Sequence, residues 1–346
     1  MRVEPQTQTH RGAGWPRPGA AGQGVNSVAV STQISARAAG TSLFAMLALL
    51  GFILPNYELL AVSQHLFLAI NVMALNFCLG LGGQVSLAQG AFCGLGAYIS
   101  ALLHPVMPGA SLAIAVAASG AAFALAAAVS RPLEKLGEGF LAMATLAVTL
   151  IFTNLILSFE SITGGTAGMM VDLKLSLPFI GPISGDKPYY FLFLGLLLAS
   201  VLVFARIRAS RLGRALLACH DDPEAASACG VHRAAVRSLA FGLGGALSAL
   251  AGMLQAHYSG FVSPGQYSLE LSLKALLFLV IGGPGRILGP IAAVLILETA
   301  LSKIHFLGEA RVLVHGLLLA LALLLGPVRS FHTGRARFTN AAGTDT

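Results

Sequence analysis

Residues 59–130 read LLAVSQHLFLAINVMALNFCLGLGGQVSLAQGAFCGLGAYISALLHPVMPGASLAIAVAASGAAFALAAAVS and contain no Asp, Glu, Lys or Arg. A helix needs about 20 apolar residues to cross a bilayer, so a run of this length predicts several crossings. In the whole chain 56% of the residues are hydrophobic and 10% are charged, and the mean hydropathy is +0.80. Soluble domains carry about 25% charged residues. The sequence therefore predicts an all-α polytopic membrane protein.

Hydropathy and helix-breaking residues predict about ten transmembrane helices. Their expected ranges are 41–56, 62–80, 86–103, 109–130, 139–158, 188–206, 238–257, 269–284, 287–302 and 311–327. Lys and Arg concentrate on the cytoplasmic side of membrane proteins, which tests this division independently. With both termini cytoplasmic, sixteen basic residues lie in inner segments, Lys274 lies near a span, and four lie in outer segments: Lys174, Lys187, Lys303 and Arg311. This partition predicts an even number of crossings, and it explains the net charge of +7 without a nucleic-acid partner.

The chain is expected to have three regions. Residues 1–40 are rich in Gly, Ala, Ser, Thr and Gln, and they carry four Arg and one acidic residue. They lack the apolar core of about 7–15 residues that marks a secretory signal. We interpret them as a disordered cytoplasmic tail, with a transit peptide as the alternative. Residues 41–328 form the membrane domain, and residues 329–346 form a short basic cytoplasmic tail.

Two glycine-rich breaks lie at span ends, GLGGQVS at 80–86 and GGPGRILGP at 282–290. Each precedes a further span, which predicts an internal repeat of the kind seen in duplicated transporter halves. Irregular backbone at membrane depth must be buried in protein or line a cavity, so both breaks are candidates for a translocation path. Plain interhelical turns are the alternative.

Small residues recur every four positions in two spans and predict close helix packing. The two series are Ser86, Gly90, Gly94 and Gly244, Ser248, Gly252. Lys274 and Glu298 are charged residues within predicted spans, where a charge costs about 2.5–3.5 kcal/mol at the bilayer centre. Both lie near enough to span ends for their side chains to reach the interface. A buried ion pair between them is the alternative.

Motifs for enzymatic chemistry are absent from the sequence, which has no GxxxxGK[ST] loop for ATP, no HExxH and no GxSxG. The four cysteines lack CxxC spacing and are interpreted as packing or loop residues. Ser111, with His65, His104 or His257 as a base, is the candidate for an intramembrane hydrolase, but a lone Ser with scattered His is more often structural. We expect no catalytic residue, no metal and no cofactor.

The segment between the sixth and seventh spans, residues 207–237, is charged and helix-prone. Residues 213–226 read GRALLACHDDPEAA and predict a short helix, an acidic stop and a second helix that begins at Pro223 with Asp222 as its cap. An ordinary connector needs far fewer residues. Two short helices here indicate insertion into a groove of another protein, with a solvated cytoplasmic turn as the alternative.

The run EAASACG at 224–230 resembles the EAA-type coupling loop of ATP-binding-cassette importer permeases. Further segments are similar, in the expected order, to branched-chain amino-acid permeases of the LivM type. These are GQVSLAQGAF at 83–92, TGGTAG at 163–168, SRLGRAL at 210–216, GFVSP at 260–264 and GGPGRILGP at 282–290. Together the matches cover about residues 45–325. Departures at Gly90, Lys274, Pro284 and Arg286 leave the solute open.

This resemblance implies a multi-pass permease subunit of the cell inner (plasma) membrane that carries branched-chain amino acids or a related small polar solute. Its implied partners are a second, LivH-like permease, two ATP-binding-cassette ATPases and an extracytoplasmic solute-binding protein. The ATPases would dock on residues 213–232. Contacts would come from Arg214 and Glu224, while small side chains would let the helix seat closely at Ala225, Ala226 and Gly230.

The translocation path is expected to include four polar residues, Asn76, Gln84, Ser86 and Thr163. A stand-alone secondary transporter, or a channel for a small polar solute such as urea, is the alternative function. It would need coupling charges inside the helix bundle, and Lys274 and Glu298 are the available ones.

Overall fold

The computed structural model of the chain describes residues 40–107, 109–133, 138–171, 175–177, 181–303, 313–322 and 324. The chain divides into two units, residues 1–47 and residues 48–346. In the first unit the described residues, 40–47, are helical. The predicted tails at 1–40 and 329–346 lie outside the described residues, apart from Gly40.

Long helices make up most of the described chain. They are α1 (Gly40–Ile53), α2 (Asn56–Asn76), α3 (Gln89–Leu103), α4 (Ser111–Leu133), α5 (Glu138–Ser158), α7 (Asp186–Ala209), α10 (Arg233–Ser259), α11 (Leu269–Gly282), α12 (Leu288–Lys303) and α13 (Leu313–Ala322). Short helices are α6 (Glu160–Thr163), α8 (Arg211–Asp221) and α9 (Pro223–Ala228). A π-helical turn, Phe77–Leu81, extends α2.

The prediction of an all-helical, polytopic membrane protein is confirmed. Five described helices are long and apolar enough to cross a membrane: α2 with its π-helical turn, α4, α5, α7 and α10. Each predicted span overlaps one of the long helices, but five of these helices are shorter than 18 residues: α1, α3, α11, α12 and α13. The ends differ from the prediction by up to six residues, because α2 begins after Pro55 and includes Glu58, an acidic residue that hydropathy had placed outside the span.

Helices α2 and α10 form the centre of the second unit. In the most apolar window of each, 72% of the residues are buried, compared with 22% in α5. Helix α3 packs closely on α10, and a Cβ added at Gly252 would overlap the Cys93 carbonyl oxygen. Ser248 donates a hydrogen bond across the same contact to Gln89 Oε1. The predicted role of the small residues in close packing is therefore confirmed at these positions.

Two pairs of two-residue strands join the loops between helices in the described residues. Strand β1 (Met169–Met170) pairs antiparallel with β4 (Phe261–Val262), with Met169 opposite Val262. Strand β2 (Ser176–Leu177) pairs with β3 (Gly181–Pro182). The first pair holds the segment that follows α5 beside the C-terminal end of α10.

Candidate functional site

The loop between α7 and α10 folds into two capped helices. Ser210 Oγ accepts a hydrogen bond from the Gly213 N–H at the start of α8, at 3.3 Å. Asp222 Oδ1 accepts from the N–H groups of Glu224 and Ala225, both at 3.0 Å, and Pro223 occupies the first turn of α9. The predicted helix, stop and capped second helix are confirmed. The caps satisfy backbone donors that a helix N-terminus leaves free.

One face of this loop is anchored on the chain itself. Gly213, Leu216 and Cys219 of α8 are buried, and they are spaced three residues apart on one side of the helix. Arg237 of α10 donates to the Cys219 carbonyl oxygen at 2.7 Å, which holds the C-terminal turn of α8. Ala226 is buried with 5% exposure, so its side chain positions α9 on this chain.

The opposite face of the loop is exposed. Arg214 on α8 and both Glu224 and Ala225 on α9 are exposed. The predicted contact residues therefore separate into three exposed side chains and the buried Ala226. The two charged residues of the predicted contact, Arg214 on α8 and Glu224 on α9, are both exposed on these adjoining short helices.

Gly230 ends α9 with a left-handed backbone. Its φ is +84°, and a Cβ added there would meet no atom within 4 Å. The Val231 N–H donates to the Ala226 carbonyl at 3.1 Å, which closes the helix end around Gly230. Within this chain, position 230 requires glycine because of the left-handed backbone conformation, and not because a side chain would lack room.

The two glycine-rich breaks meet each other. Asn76 at the end of α2 is fully buried; its Nδ2 donates to the Arg286 carbonyl at 2.7 Å, and its Oδ1 accepts from the Gly285 N–H at 2.8 Å. A Cβ at Gly80 would overlap the Gly285 amide nitrogen. Arg208 at the end of α7 donates to the Gly285 carbonyl. Asn76 thus holds the turn at 283–286 against the π-helical end of α2 through these two hydrogen bonds.

The loop between α7 and α10 touches the first glycine-rich break. A Cβ added at Gly83 would overlap the ring of His220 on α8, so backbone and ring are in close contact there. Just after the break, two side chains of α5 bind the backbone of Leu87. Thr145 Oγ1 accepts from the Leu87 N–H at 3.0 Å, and Thr149 donates to the Leu87 carbonyl at 2.7 Å. Side chains thereby satisfy the hydrogen-bonding groups of the irregular backbone at Leu87.

The other predicted path residues are buried, and two of them bind local backbone. Ser86 Oγ accepts from the Ala88 N–H at 3.3 Å. Thr163 Oγ1 lies 2.6 and 2.9 Å from the carbonyl oxygens of Ile156 and Phe159, so its one hydroxyl hydrogen is shared between them. Gln84 is 3% exposed. The structure places Asn76, Gln84 and Ser86 around the first break and Thr163 in the segment after α5, so the four are not brought together.

A cavity of about 560 Å³ lies between α2, α10, α11, α12 and the 3₁₀ turn Pro264–Tyr267. Its polar wall includes Gln64, His65, Gln255, Lys274 and Glu298, and none of the four predicted path residues is among its lining. The sequence analysis singled out Lys274 and Glu298 but missed Gln64 and Gln255. Both glutamines lie in charge-free apolar runs, which is the signal that would have marked them.

Lys274 and Glu298 face this cavity without pairing directly. Lys274 Nζ lies 2.7 Å from Glu270 Oε1, one turn earlier on α11. Glu298 Oε1 lies 3.4 Å from His315 Nε2 on α13. The alternative of a buried ion pair between them is therefore wrong in this conformation. Ser111 Oγ, the candidate nucleophile, accepts from the Ser176 N–H at 3.0 Å. His257 Nε2 lies 2.7 Å from Ser100 Oγ.

Comparisons with known proteins agree with the resemblance noted in the sequence. A family model described as "Branched-chain amino acid transport system / permease component" matches residues 59–325. The LivM permease protein of the high-affinity branched-chain amino acid transport system of Escherichia coli (strain K12) is 29% identical over 285 residues, covering 74% of this chain and 65% of that relative. No solved structure matches the chain.

Two other kinds of relative match shorter parts of the chain. The LivH permease protein of the same Escherichia coli system is 36% identical over 132 residues, which is 38% of this chain and 42% of LivH. The autoinducer 2 import system permease protein LsrC of Yersinia enterocolitica is 34% identical over 125 residues, which is 35% of this chain and 33% of LsrC. Similar permeases therefore carry names that refer to different solutes.

Proposed function

Because the chain belongs to the family of permease components of branched-chain amino acid transport systems, we propose that it is the membrane subunit of an ATP-binding-cassette importer for branched-chain amino acids or a related small polar solute. As a permease component it is a transmembrane, non-catalytic subunit. ATP hydrolysis would be carried out by separate ATPases that dock on residues 213–232. The chain spans 65% of the length of LivM from Escherichia coli.

The exposed face of α8 and α9 is the observation that carries this proposal. Their buried faces are fixed to the chain, through Leu216 and Ala226, so a force applied to the exposed faces acts on the membrane helices. Arg214, Glu224 and Ala225 are available for contact with an ATPase, and Gly230 lets the chain leave α9 in its left-handed turn. His220 then links α8 to the first glycine-rich break.

The proposed assembly contains a second permease, two ATPases, an extracytoplasmic binding protein and surrounding lipid. The partial likeness to LivH supports a related second permease. In the proposed topology all ten long helices cross the inner membrane, both termini are cytoplasmic, and the loop between α7 and α10 is cytoplasmic. The partition of Lys and Arg supports this orientation.

In this topology the two glycine-rich breaks lie at the cytoplasmic end of the path. We assign Asn76, Gln84 and Ser86 to that end, where Asn76 holds the turn at 283–286. Thr163 lies toward the opposite side. Movement of α8 against Gly83 would displace the first break, and the path would open alternately to each side of the membrane.

Cys229 offers a direct test of the orientation. It is exposed, whereas Cys78, Cys93 and Cys219 are buried. A membrane-impermeant maleimide should label the chain in inside-out vesicles and leave right-side-out vesicles unlabelled, and Cys229→Ser should abolish the labelling. Addition of the ATPases should slow the reaction, because Cys229 directly follows α9. Labelling from the extracytoplasmic side would overturn the proposal.

Co-purification tests the ATPase contact itself. Arg214→Gln and Glu224→Gln should each weaken ATPase association by about tenfold, equivalent to about 1.4 kcal/mol. Lys303→Gln is the matched control, since Lys303 is exposed at the far end of α12 and should have no effect. Wild-type association in all three variants would contradict docking on this loop. A chain that transports solute with no ATPase bound would support the stand-alone alternative.

A further inference from the structure

The cavity between α2, α10, α11 and α12 has the size and lining of a small-molecule site. Its volume, about 560 Å³, falls within the range of about 300–1,000 Å³ found for ligand pockets. Apolar side chains, including Phe67, Leu68 and Leu271, share its wall with the polar groups. A ligand that fills it would therefore contact both kinds of surface.

Three charged side chains face the cavity from two neighbouring helices, Lys274 and Glu270 on α11 and Glu298 on α12. Lys274 on α11 is 28% exposed, and Glu298 on α12 is 17% exposed. A charge within a membrane helix is costly, by about 2.5–3.5 kcal/mol at the bilayer centre, so such residues usually serve the transport path. Lys274 pairs with Glu270 at 2.7 Å, and Glu298 contacts His315 at 3.4 Å. The pair on α11 is an i,i+4 contact in which the Glu270 side chain is 46% exposed. Exposed pairs of this kind contribute about 0–1 kcal/mol, so a ligand carboxylate can replace Glu270 beside Lys274.

Gln255 adds a buried acceptor to the same wall. Gln255 is 7% exposed, and its Nε2 donates to Gln64 Oε1 at 3.1 Å. Within the described residues, no protein group donates a hydrogen bond to Gln255 Oε1. An unmet buried acceptor costs about 1–3 kcal/mol, so this oxygen is suited to a donor on a bound solute.

We propose that this cavity binds a small aliphatic zwitterion, with its ammonium group toward Glu298 and Gln255 Oε1 and its carboxylate toward Lys274. The apolar wall receives the aliphatic side chain. This inference rests on the proposed function, because it assigns the solute site of the same importer. A site of mixed charge should bind a zwitterion better than an analogue that carries one charge, since each missing group removes one charged contact between ligand and protein.

Binding of radiolabelled leucine to the purified membrane complex in nanodiscs, without the binding protein, tests this assignment. The competitors are 4-methylpentanoate, which lacks the ammonium group, and 3-methylbutylamine, which lacks the carboxylate. Each should compete at least about tenfold more weakly than leucine, the scale of one charge-assisted hydrogen bond.

Variants then locate the two ends of the ligand. Lys274→Gln should weaken leucine binding and remove the preference for leucine over 3-methylbutylamine, while the preference over 4-methylpentanoate persists. Glu298→Gln should do the reverse. Lys303→Gln is the control and should bind as the wild type does. Gln255→Leu should weaken leucine by about tenfold. It provides a second probe of the ammonium end if Glu298→Gln fails to assemble.

Two results would overturn the inference. One is unchanged discrimination among the three ligands in Lys274→Gln, Glu298→Gln and Gln255→Leu. The other is absence of saturable binding at millimolar leucine in a complex that transports leucine once the binding protein is added. The proposed function is tested separately, by measuring whether the ATPases co-purify with the chain. A chain that binds leucine with the expected discrimination but carries no ATPase would reject the importer and keep the site.

Discussion

Replacement of Asn76 by Ala should loosen the turn at 283–286 from the end of α2. The side chain is fully buried and makes two hydrogen bonds to this turn, to the Arg286 carbonyl and from the Gly285 N–H. Each neutral hydrogen bond contributes about 0.5–1.5 kcal/mol net, so we expect the free energy of unfolding to fall by about 1–3 kcal/mol.

The measurement is unfolding of the purified chain by SDS titration in mixed micelles. Asn154→Ala is the matched control. Asn154 lies on α5, is exposed, and donates to the Leu150 carbonyl of its own helix at 2.9 Å. Its replacement should change the free energy of unfolding by no more than about 0.5 kcal/mol.

A double-mutant cycle with Arg208→Gln sharpens the result. Arg208 donates to the Gly285 carbonyl on the same turn. The two losses should therefore be non-additive by about 0.5 kcal/mol or more. If Asn76→Ala is as mild as Asn154→Ala, or if the two losses simply add, then Asn76 does not hold this turn and the reasoning fails.

Two further predictions concern glycines. Gly252→Ala should destabilise the chain by about 1–3 kcal/mol in the same titration, because its Cβ would overlap the Cys93 carbonyl. Gly195→Ala on α7 is the control: the added Cβ meets no atom within 4 Å, so this variant should be neutral or stabilising by up to about 1 kcal/mol. Equal losses in the two variants would contradict the close contact of α3 and α10. Gly230→Ala should strain the left-handed turn by about 1–2 kcal/mol. Asn tolerates that conformation, so Gly230→Asn should reduce ATPase co-purification only if the ATPase packs closely against this position. Full ATPase association of the Asn variant would mean that Gly230 acts only through its backbone conformation.

Helix positions were predictable from the sequence because each depends on local apolar composition. The capped start of α9 was predictable for a similar reason, since Asp222 and Pro223 act on the residues directly beside them. Span ends were less accurate. Glu58 extends α2 beyond the apolar run, because a helix continues where polar side chains can reach water.

The contacts of the site depend on distant parts of the chain. Asn76 was predicted to line the path, and the structure gives it two partners that lie 209 and 210 residues away. Gln64 and Gln255, which are 191 residues apart, meet at the cavity wall. No local pattern contains such pairings, so the sequence identified polar residues within spans without saying which of them share a surface.

Gly83 has a consequence for how α8 and α2 can move. With hydrogen as its side chain, Gly83 brings the backbone of the first break into contact with the His220 ring, so no side chain at this position separates the two. A displacement of α8 by a fraction of an ångström would then also displace the backbone of the first break. A larger residue at position 83 would meet the ring and would also strain a backbone whose φ is +68°. In the proposed importer, such a change would alter the balance between inward-open and outward-open forms even where every partner still binds.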